Sequence, residues 1–148
     1  MGLQQKIDQD LIQALKLQDK IKSSTLRMLK SAIITMQKQG KEELTENEIV
    51  KIISKEIAQR KEAAKMFEKA GRKEKADLEN QELQLLQNYM PEQLSDEDLH
   101  KVIDGVIVET KASGTADIGK VMKEVMSKVS GKAEGSQVNQ LVRQKLNN

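Results

Sequence analysis

A single proline, Pro91, interrupts a chain that otherwise reads as helix from end to end. Proline has no amide hydrogen to give an interior helical turn, and it disfavours α geometry in the residue before it. A helix carrying Leu85, Leu86 and Tyr89 must therefore stop at about Met90. Four residues beyond Pro91, Ser95 offers a hydroxyl to cap a new helix. Asp96, Glu97 and Asp98 follow in its first turn, where the helix dipole favours negative charge. The stretch around Pro91 is thus the expected joint between two helical domains, residues 1–92 and 93–148. Tyr89, the one tyrosine in the chain, is expected to join Leu86, Met90 and Leu94 in an apolar clasp between them.

Composition points to the same class. With 37% hydrophobic and 32% charged residues the chain has the balance of a soluble folded protein rather than a disordered one, and 148 residues suffice for one domain or two small ones. One Phe, no Trp and abundant Lys, Glu, Gln and Leu favour helix over sheet. The absence of cysteine removes disulfides, thiol nucleophiles and thiolate metal sites. No apolar run approaches a membrane span, no signal-peptide core is present, and Lys6 stands where a myristoylation motif needs Ser or Thr. A cytoplasmic protein without membrane contact is the expectation, and nothing implies a cofactor.

Apolar spacing then places the helices. Leu3, Ile7, Leu11 and Leu15 predict a first helix ending near Leu17. Ser23 or Ser24 is placed to cap a second, with Leu26, Leu29, Ile33 and Met36 inward until Gly40 stops it. Thr45 and Glu48 form a capping box that opens the longest helix, with Ile49, Ile52, Ile53, Ile57, Ala64 and Phe67 inward and Gly71 at its C-terminal turn. A fourth helix, about 75–90, buries Leu78, Leu85, Leu86 and Tyr89. Past the joint, Leu99, Val102, Ile103, Val106 and Ile107 mark a fifth helix ending before Gly114. Ile118, Val121, Met122, Val125 and Val129 mark a sixth, and Val138, Leu141, Val142 and Leu146 a seventh. The fold class is all-α: about four helices in an N-terminal domain, joined to a three-helix tail.

Net charge is only +2, yet it is unevenly distributed. Residues 16–41 carry seven basic groups against Asp19, and 50–75 carry nine against four acids. Residues 76–110 hold nine acids and only Lys101, whereas 118–148 hold six basic groups against Glu124 and Glu134. Such blocks are either complementary solvated helix faces or patches that meet a polyanion. Within the longest helix, Glu56 and Arg60 fall in the arc of Ile49, Ile53 and Phe67, opposite Lys51, Lys55, Lys65 and Lys69. Glu56 and Arg60, with Arg27, are therefore candidates for a buried or interdomain ion pair or for part of a site.

Catalytic constellations are missing. His100 is the lone histidine and lies in the first turns of the fifth helix, which supports neither a zinc site nor a Ser-His-acid triad. The glycines form no phosphate-binding loop, since neither Gly-x-x-x-x-Gly-Lys-Ser/Thr nor Gly-x-Gly-x-x-Gly after a strand occurs.

The tail carries a recognisable pattern. Asp117-Ile-Gly-Lys-Val-Met122, Lys128-Val-Ser-Gly-Lys-Ala-Glu-Gly135 and Val138-Asn-Gln-Leu-Val142 resemble the tail domain shared by the GatB subunit of tRNA-dependent amidotransferase and by YqeY proteins. Ser24-Thr-Leu-Arg-Met-Leu-Lys-Ser-Ala-Ile33, Lys55-Glu-Ile-Ala-Gln-Arg60, Phe67-Glu-Lys-Ala-Gly-Arg72 and Tyr89-Met-Pro-Glu-Gln-Leu-Ser95 extend the resemblance to the standalone YqeY pattern over nearly the whole chain.

That resemblance implies an all-helical N-terminal domain followed by a three-helix tail that contacts tRNA. It associates the chain with an assembly that amidates mischarged Glu-tRNA or Asp-tRNA with glutamine as nitrogen donor, a carbon-nitrogen ligase whose catalytic body is absent here. The candidate RNA-binding residues are Gly119, Lys120, Lys128, Gly131, Lys132, Gly135, Arg143 and Lys145. The cations would meet phosphates, and Gly119, lacking a side chain, would admit close approach of a neighbouring helix or of a ribose-phosphate strand. Lys132 and Glu134 stand where the family pattern has Arg and Asp, losing a bidentate fork and a strong cap for the last helix. The expected function is that of a tRNA-binding accessory protein. The alternative is a helical interaction module for a synthetase or amidotransferase subunit.

Overall fold

The computed structural model describes residues 2–40 and 43–147. Seven α-helices form among them: α1 (Leu3–Lys16), α2 (Lys20–Lys38), α3 (Glu46–Lys69), α4 (Lys73–Gln87), α5 (Asp96–Thr110), α6 (Ile118–Val129) and α7 (Gly135–Leu146). One 3-10 turn, Thr115–Asp117, precedes α6, and no strand occurs among the described residues. The all-α expectation therefore holds. The chain divides into two compact units, Met1–Met90 and Pro91–Asn148, each with a core of its own.

In the first unit, local chemistry fixes the ends of the helices. The Thr45 hydroxyl accepts from the Glu48 amide at 3.2 Å, and the Glu48 carboxylate accepts from the Thr45 amide at 3.4 Å, closing the capping box that starts α3. Gly71, at φ +73°, ends it: the Arg72 amide donates to Phe67 O at 2.8 Å and the Gly71 amide to Glu68 O at 3.1 Å. The start of α2 differs from expectation. Its cap is Asp19, whose Oδ1 accepts from the Lys22 amide at 3.1 Å, whereas Ser23 is buried one turn inside and donates to Lys20 O. The cause lies in the end of α1. Gln18 takes the left-handed conformation at φ +57°, and the Asp19 amide donates back to Ala14 O at 2.9 Å, so the chain turns over three residues with no glycine to signal it.

Ile7, Leu11, Leu26, Leu29, Ile33, Ile49, Ile52, Ile53, Ile57, Leu83, Leu86 and Tyr89 form the core of this unit. Leu15 and Met36, expected inward, are 44% and 43% exposed. Four-residue steps drift around a helix, so Leu15 has rotated off the stripe begun by Leu3, and Ala14 takes the buried place. In α4 the buried residues are Ala76, Leu83 and Leu86, while Leu78 is exposed and Leu85 only half-buried. The inner stripe of α4 also carries Glu79 and Glu82, and those two carboxylates hide it from a search for apolar spacing. Phe67 is half-buried, with the Lys75 ammonium 5.7 Å from the ring centroid.

The second unit packs Leu99, Ile103, Val106, Val121, Val125, Val129, Ala133, Val138, Val142 and Leu146 together. Ser95 caps α5 by accepting from the Asp98 amide at 3.2 Å, and Lys111 in the left-handed region ends it. Ser130 at φ +43° and Gly131 at φ +83° turn the chain from α6 towards α7. That turn holds the segment after Pro91, for Gly131 O accepts from Gln93 Nε2 at 3.0 Å and Lys132 O from the Leu94 amide at 2.8 Å. The expected clasp is thus not one cluster: Leu86, Tyr89 and Met90 join the first core and Leu94 the second. No helix among the described residues is long and apolar enough to cross a membrane.

Candidate nucleic-acid interface

The buried edge of α6 is Val121, Val125 and Val129, which leaves Gly119, Lys120, Lys123 and Ser127 on its outer side. Gly119 is exposed, and a Cβ built on it meets nothing within 4 Å. Close helix packing, one of the two reasons expected for this glycine, is therefore not seen among the described residues. Two lysines neighbour this position on the helix. Lys120 reaches Thr110 O at 3.4 Å, and Lys123, one turn on from Gly119, makes no ion pair among the described residues. Lys123 was not among the sequence candidates, although its four-residue offset from Gly119 is a signal that was there to read.

The remaining tail cations divide in two. Lys132, exposed beside the left-handed Gly131, makes no side-chain hydrogen bond or ion pair among the described residues. Arg143 is exposed on α7 with Nε donating to Asn139 Oδ1 at 2.6 Å. Lys128 and Lys145 instead meet α5, through Glu109 at 3.0 Å and Asp104 at 2.7 Å. The acidic fifth helix thus neutralises two of the expected phosphate ligands. Glu134 occupies the cap position of α7 without a side-chain cap bond, and Gly135 begins that helix with its Cβ direction facing Met126 Cε at 3.8 Å. The exposed residues are thus Gly119, Lys120 and Lys123 on α6, Lys132 after it and Arg143 on α7.

Glu56 and Arg60 belong wholly to the first unit. Arg60 is 4% exposed; Nη1 lies 2.6 Å from Glu56 Oε2, Nε donates to Glu82 at 3.1 Å, and Nη2 reaches Met28 Sδ at 3.5 Å. Arg27 takes no part, being exposed on α2 without an ion pair among the described residues. Glu79 lies beside this cluster. Burial, and then the Glu82 carboxylate, push its pKa upward, with Arg60 opposing. The sequence reading found Glu56 because it is one turn away, and missed Glu82 because it is on another helix.

A second feature of the first unit was also missed. Tyr89 Oη donates to Asp10 Oδ2 at 2.5 Å, and the Lys6 ammonium stands 5.6 Å from the ring centroid. These groups, with Lys22, Leu26, Leu85 and Asn88, line an open cleft of about 90 Å³, well below the roughly 300–1,000 Å³ of ordinary ligand pockets. Burial first, and then the Asp10 hydrogen bond and charge, hold the Tyr89 phenol well above its ordinary pKa of 10. Among the described residues no group of three or more His, Asp or Glu gathers as metal ligands.

Comparison with known proteins gives one family and two relatives. The model of the Yqey-like protein family matches residues 4–146. The uncharacterized protein C22F3.15 of Schizosaccharomyces pombe is 32% identical over 94 residues, covering 64% of this chain and 76% of that protein. The Altered inheritance of mitochondria protein 41, mitochondrial, of Pyrenophora tritici-repentis is 25% identical over 134 residues, covering 89% of this chain and 74% of that protein.

Proposed function

The chain belongs to the YqeY-like family, and from that premise we propose that it is a tRNA-binding accessory protein without a catalytic core of its own, whose second unit meets phosphates through α6 and the turn after it. The observation that carries this reading is Gly119: an exposed backbone position with open space beyond it, with the exposed Lys120 next to it and the exposed Lys123 one turn on. A ribose-phosphate strand can approach bare backbone closely, while neighbouring lysines neutralise its charge and release counterions. Contacts of this kind fix register and orientation without reading sequence, which suits a protein that holds a tRNA for chemistry done elsewhere. The GatB-like pattern of the tail makes the amidation of mischarged tRNA the reaction such an accessory would serve.

Filter binding of unfractionated tRNA, repeated across a salt series, tests the reading. Wild-type protein is expected to bind with an affinity that falls steeply as salt rises, and Gly119→Ala to bind more weakly while melting no lower than wild type. Binding by Gly119→Ala equal to wild type would remove the close approach of a phosphate from the argument.

One observation favours a second reading. Residues 91–148 carry eight basic against nine acidic groups, and Val108 on α5 is 75% exposed. A nearly balanced surface with an exposed apolar side chain suits a module that docks on an amidotransferase or synthetase subunit. Salt-insensitive retention on such a subunit, with no tRNA binding, is its expected signature.

A further inference from the structure

The first unit carries a longer row of free charge than the tail does. At 100° per residue, Asn47, Lys51, Lys55, Ala58, Glu62, Lys65 and Lys69 share one arc of α3 about 80° wide, opposite the buried Ile49, Ile53 and Ile57. All four lysines are exposed, and none makes an ion pair or side-chain hydrogen bond among the described residues. Arg72 and Lys73, exposed and equally unpaired, continue the positive charge past the Gly71 turn. Glu62 is the one acid in the arc. From Lys51 to Lys69 the row rises about 27 Å along the helix axis.

We infer that this face of α3 is a second docking surface for an RNA backbone, contacting phosphates through Lys51, Lys55, Lys65 and Lys69. The inference rests on the tRNA reading of the family and adds to it a surface on the other unit. Three features favour RNA over other polyanions. A protein partner is anchored by apolar or aromatic side chains at the centre of its footprint; within the arc only Asn47 and Ala58 are uncharged, and the one large exposed apolar side chain of α3, Met66, lies at its edge rather than among the lysines. A membrane surface needs an apolar helix face to insert, and the apolar face of α3 is spent in the core. Phosphate contacts require neither, and a straight row of free ammonium groups on a rigid helix supplies what they do require.

The test uses the full chain with Lys51, Lys55, Lys65 and Lys69 all replaced by Gln, which keeps helix propensity, and a companion in which all four become Arg. Each is titrated with unfractionated tRNA across a salt series, alongside a tail variant with Lys120, Lys123 and Lys132 replaced by Gln. At roughly 0.7–0.9 in slope per phosphate contact, the Gln variant should lose about 3 from the slope of log affinity against log salt, and the Arg variant should retain it. Circular dichroism and melting should match wild type for both. A Gln variant with the wild-type slope overturns the inference; if the tail variant then loses slope, the tail reading stands without it. Wild-type protein without salt-dependent binding overturns both. Equal binding to polyglutamate, or to phosphatidylserine vesicles, by the same four lysines overturns the choice of RNA.

Discussion

Arg60 on α3 donates through Nε to Glu82 on α4 at 3.1 Å, and this bond between helices turns a local Glu56–Arg60 pair into a buried three-membered cluster. The guanidinium is almost fully buried, and the two carboxylates are 18% and 15% exposed. Arg60→Ala would leave two acids facing each other, with Glu79 close by. The expected cost is about 3 kcal/mol, at the low end of the 3–5 kcal/mol for a broken buried pair because both acids retain some water. Replacing Glu56 and Glu82 by Gln in the same variant should recover most of that loss. Urea unfolding of the single and triple variants measures both, and a single variant as stable as wild type would mean that the cluster holds nothing together.

Tyr89 and Asp10 offer a probe that reads one group alone, since the chain has one tyrosine and no tryptophan. Tyr89→Phe removes a hydrogen bond to a carboxylate and should cost about 1.5–3 kcal/mol. The phenol is held above its ordinary pKa of 10, so the folded state keeps a proton that the unfolded state releases there. The stability this group contributes is therefore complete below pH 10 and is lost as pH rises above it. In an ultraviolet titration, tyrosinate should appear in native protein only well above pH 10. In Asp10→Asn it should appear earlier, yet still above 10, because burial is the larger cause. A native titration at pH 10 would show the phenol to be solvated.

The parts of the structure legible in the sequence are those fixed within one or two helical turns. Thr45 and Glu48, Ser95 and Gly71 mark helix ends because the groups they satisfy lie three or four residues away. The valine stripe of α6 is equally local. What the sequence withholds depends on which helices meet. Arg60 and Glu82 are 22 residues apart and Lys128 and Glu109 are 19, so no spacing rule joins them, and only packing shows that Lys128 and Lys145 are already paired. Gly119 shows the same limit: its place on α6 was readable, but whether a helix or open space lay beyond it was not.

Two glycines should respond to alanine in opposite directions. Gly105 lies inside α5, and a Cβ there meets nothing within 4 Å, so Gly105→Ala gains helix propensity without a clash and should stabilise by about 0.5–1 kcal/mol. Gly71 also has open space around its Cβ direction, but its φ of +73° penalises any side chain, and Gly71→Ala should destabilise by about 1–2 kcal/mol. Since neither site is crowded, the difference in melting between the two variants isolates backbone conformation from packing. A Gly71→Ala variant that melts as wild type would show that the end of α3 rearranges.

Lys128, a candidate phosphate ligand of the tail, has its ammonium 3.0 Å from the Glu109 carboxylate. The pair is exposed, so it is worth about 0.2–1 kcal/mol, and Lys128→Glu should cost slightly more by placing two carboxylates together. Exchanging the charges, with Glu109→Lys added, should restore the melting temperature. The effect on RNA is expected to be small in both variants, since a paired lysine exchanges one counter-charge for another, whereas Lys123→Glu should weaken tRNA binding and leave melting unchanged. Measuring melting and the salt dependence of tRNA affinity for these three proteins separates a lysine that holds α6 to α5 from one that faces the ligand. If Lys128→Glu weakens binding more than Lys123→Glu, and the charge exchange does not restore it, the Glu109 pair opens when RNA binds and Lys128 rejoins the phosphate surface.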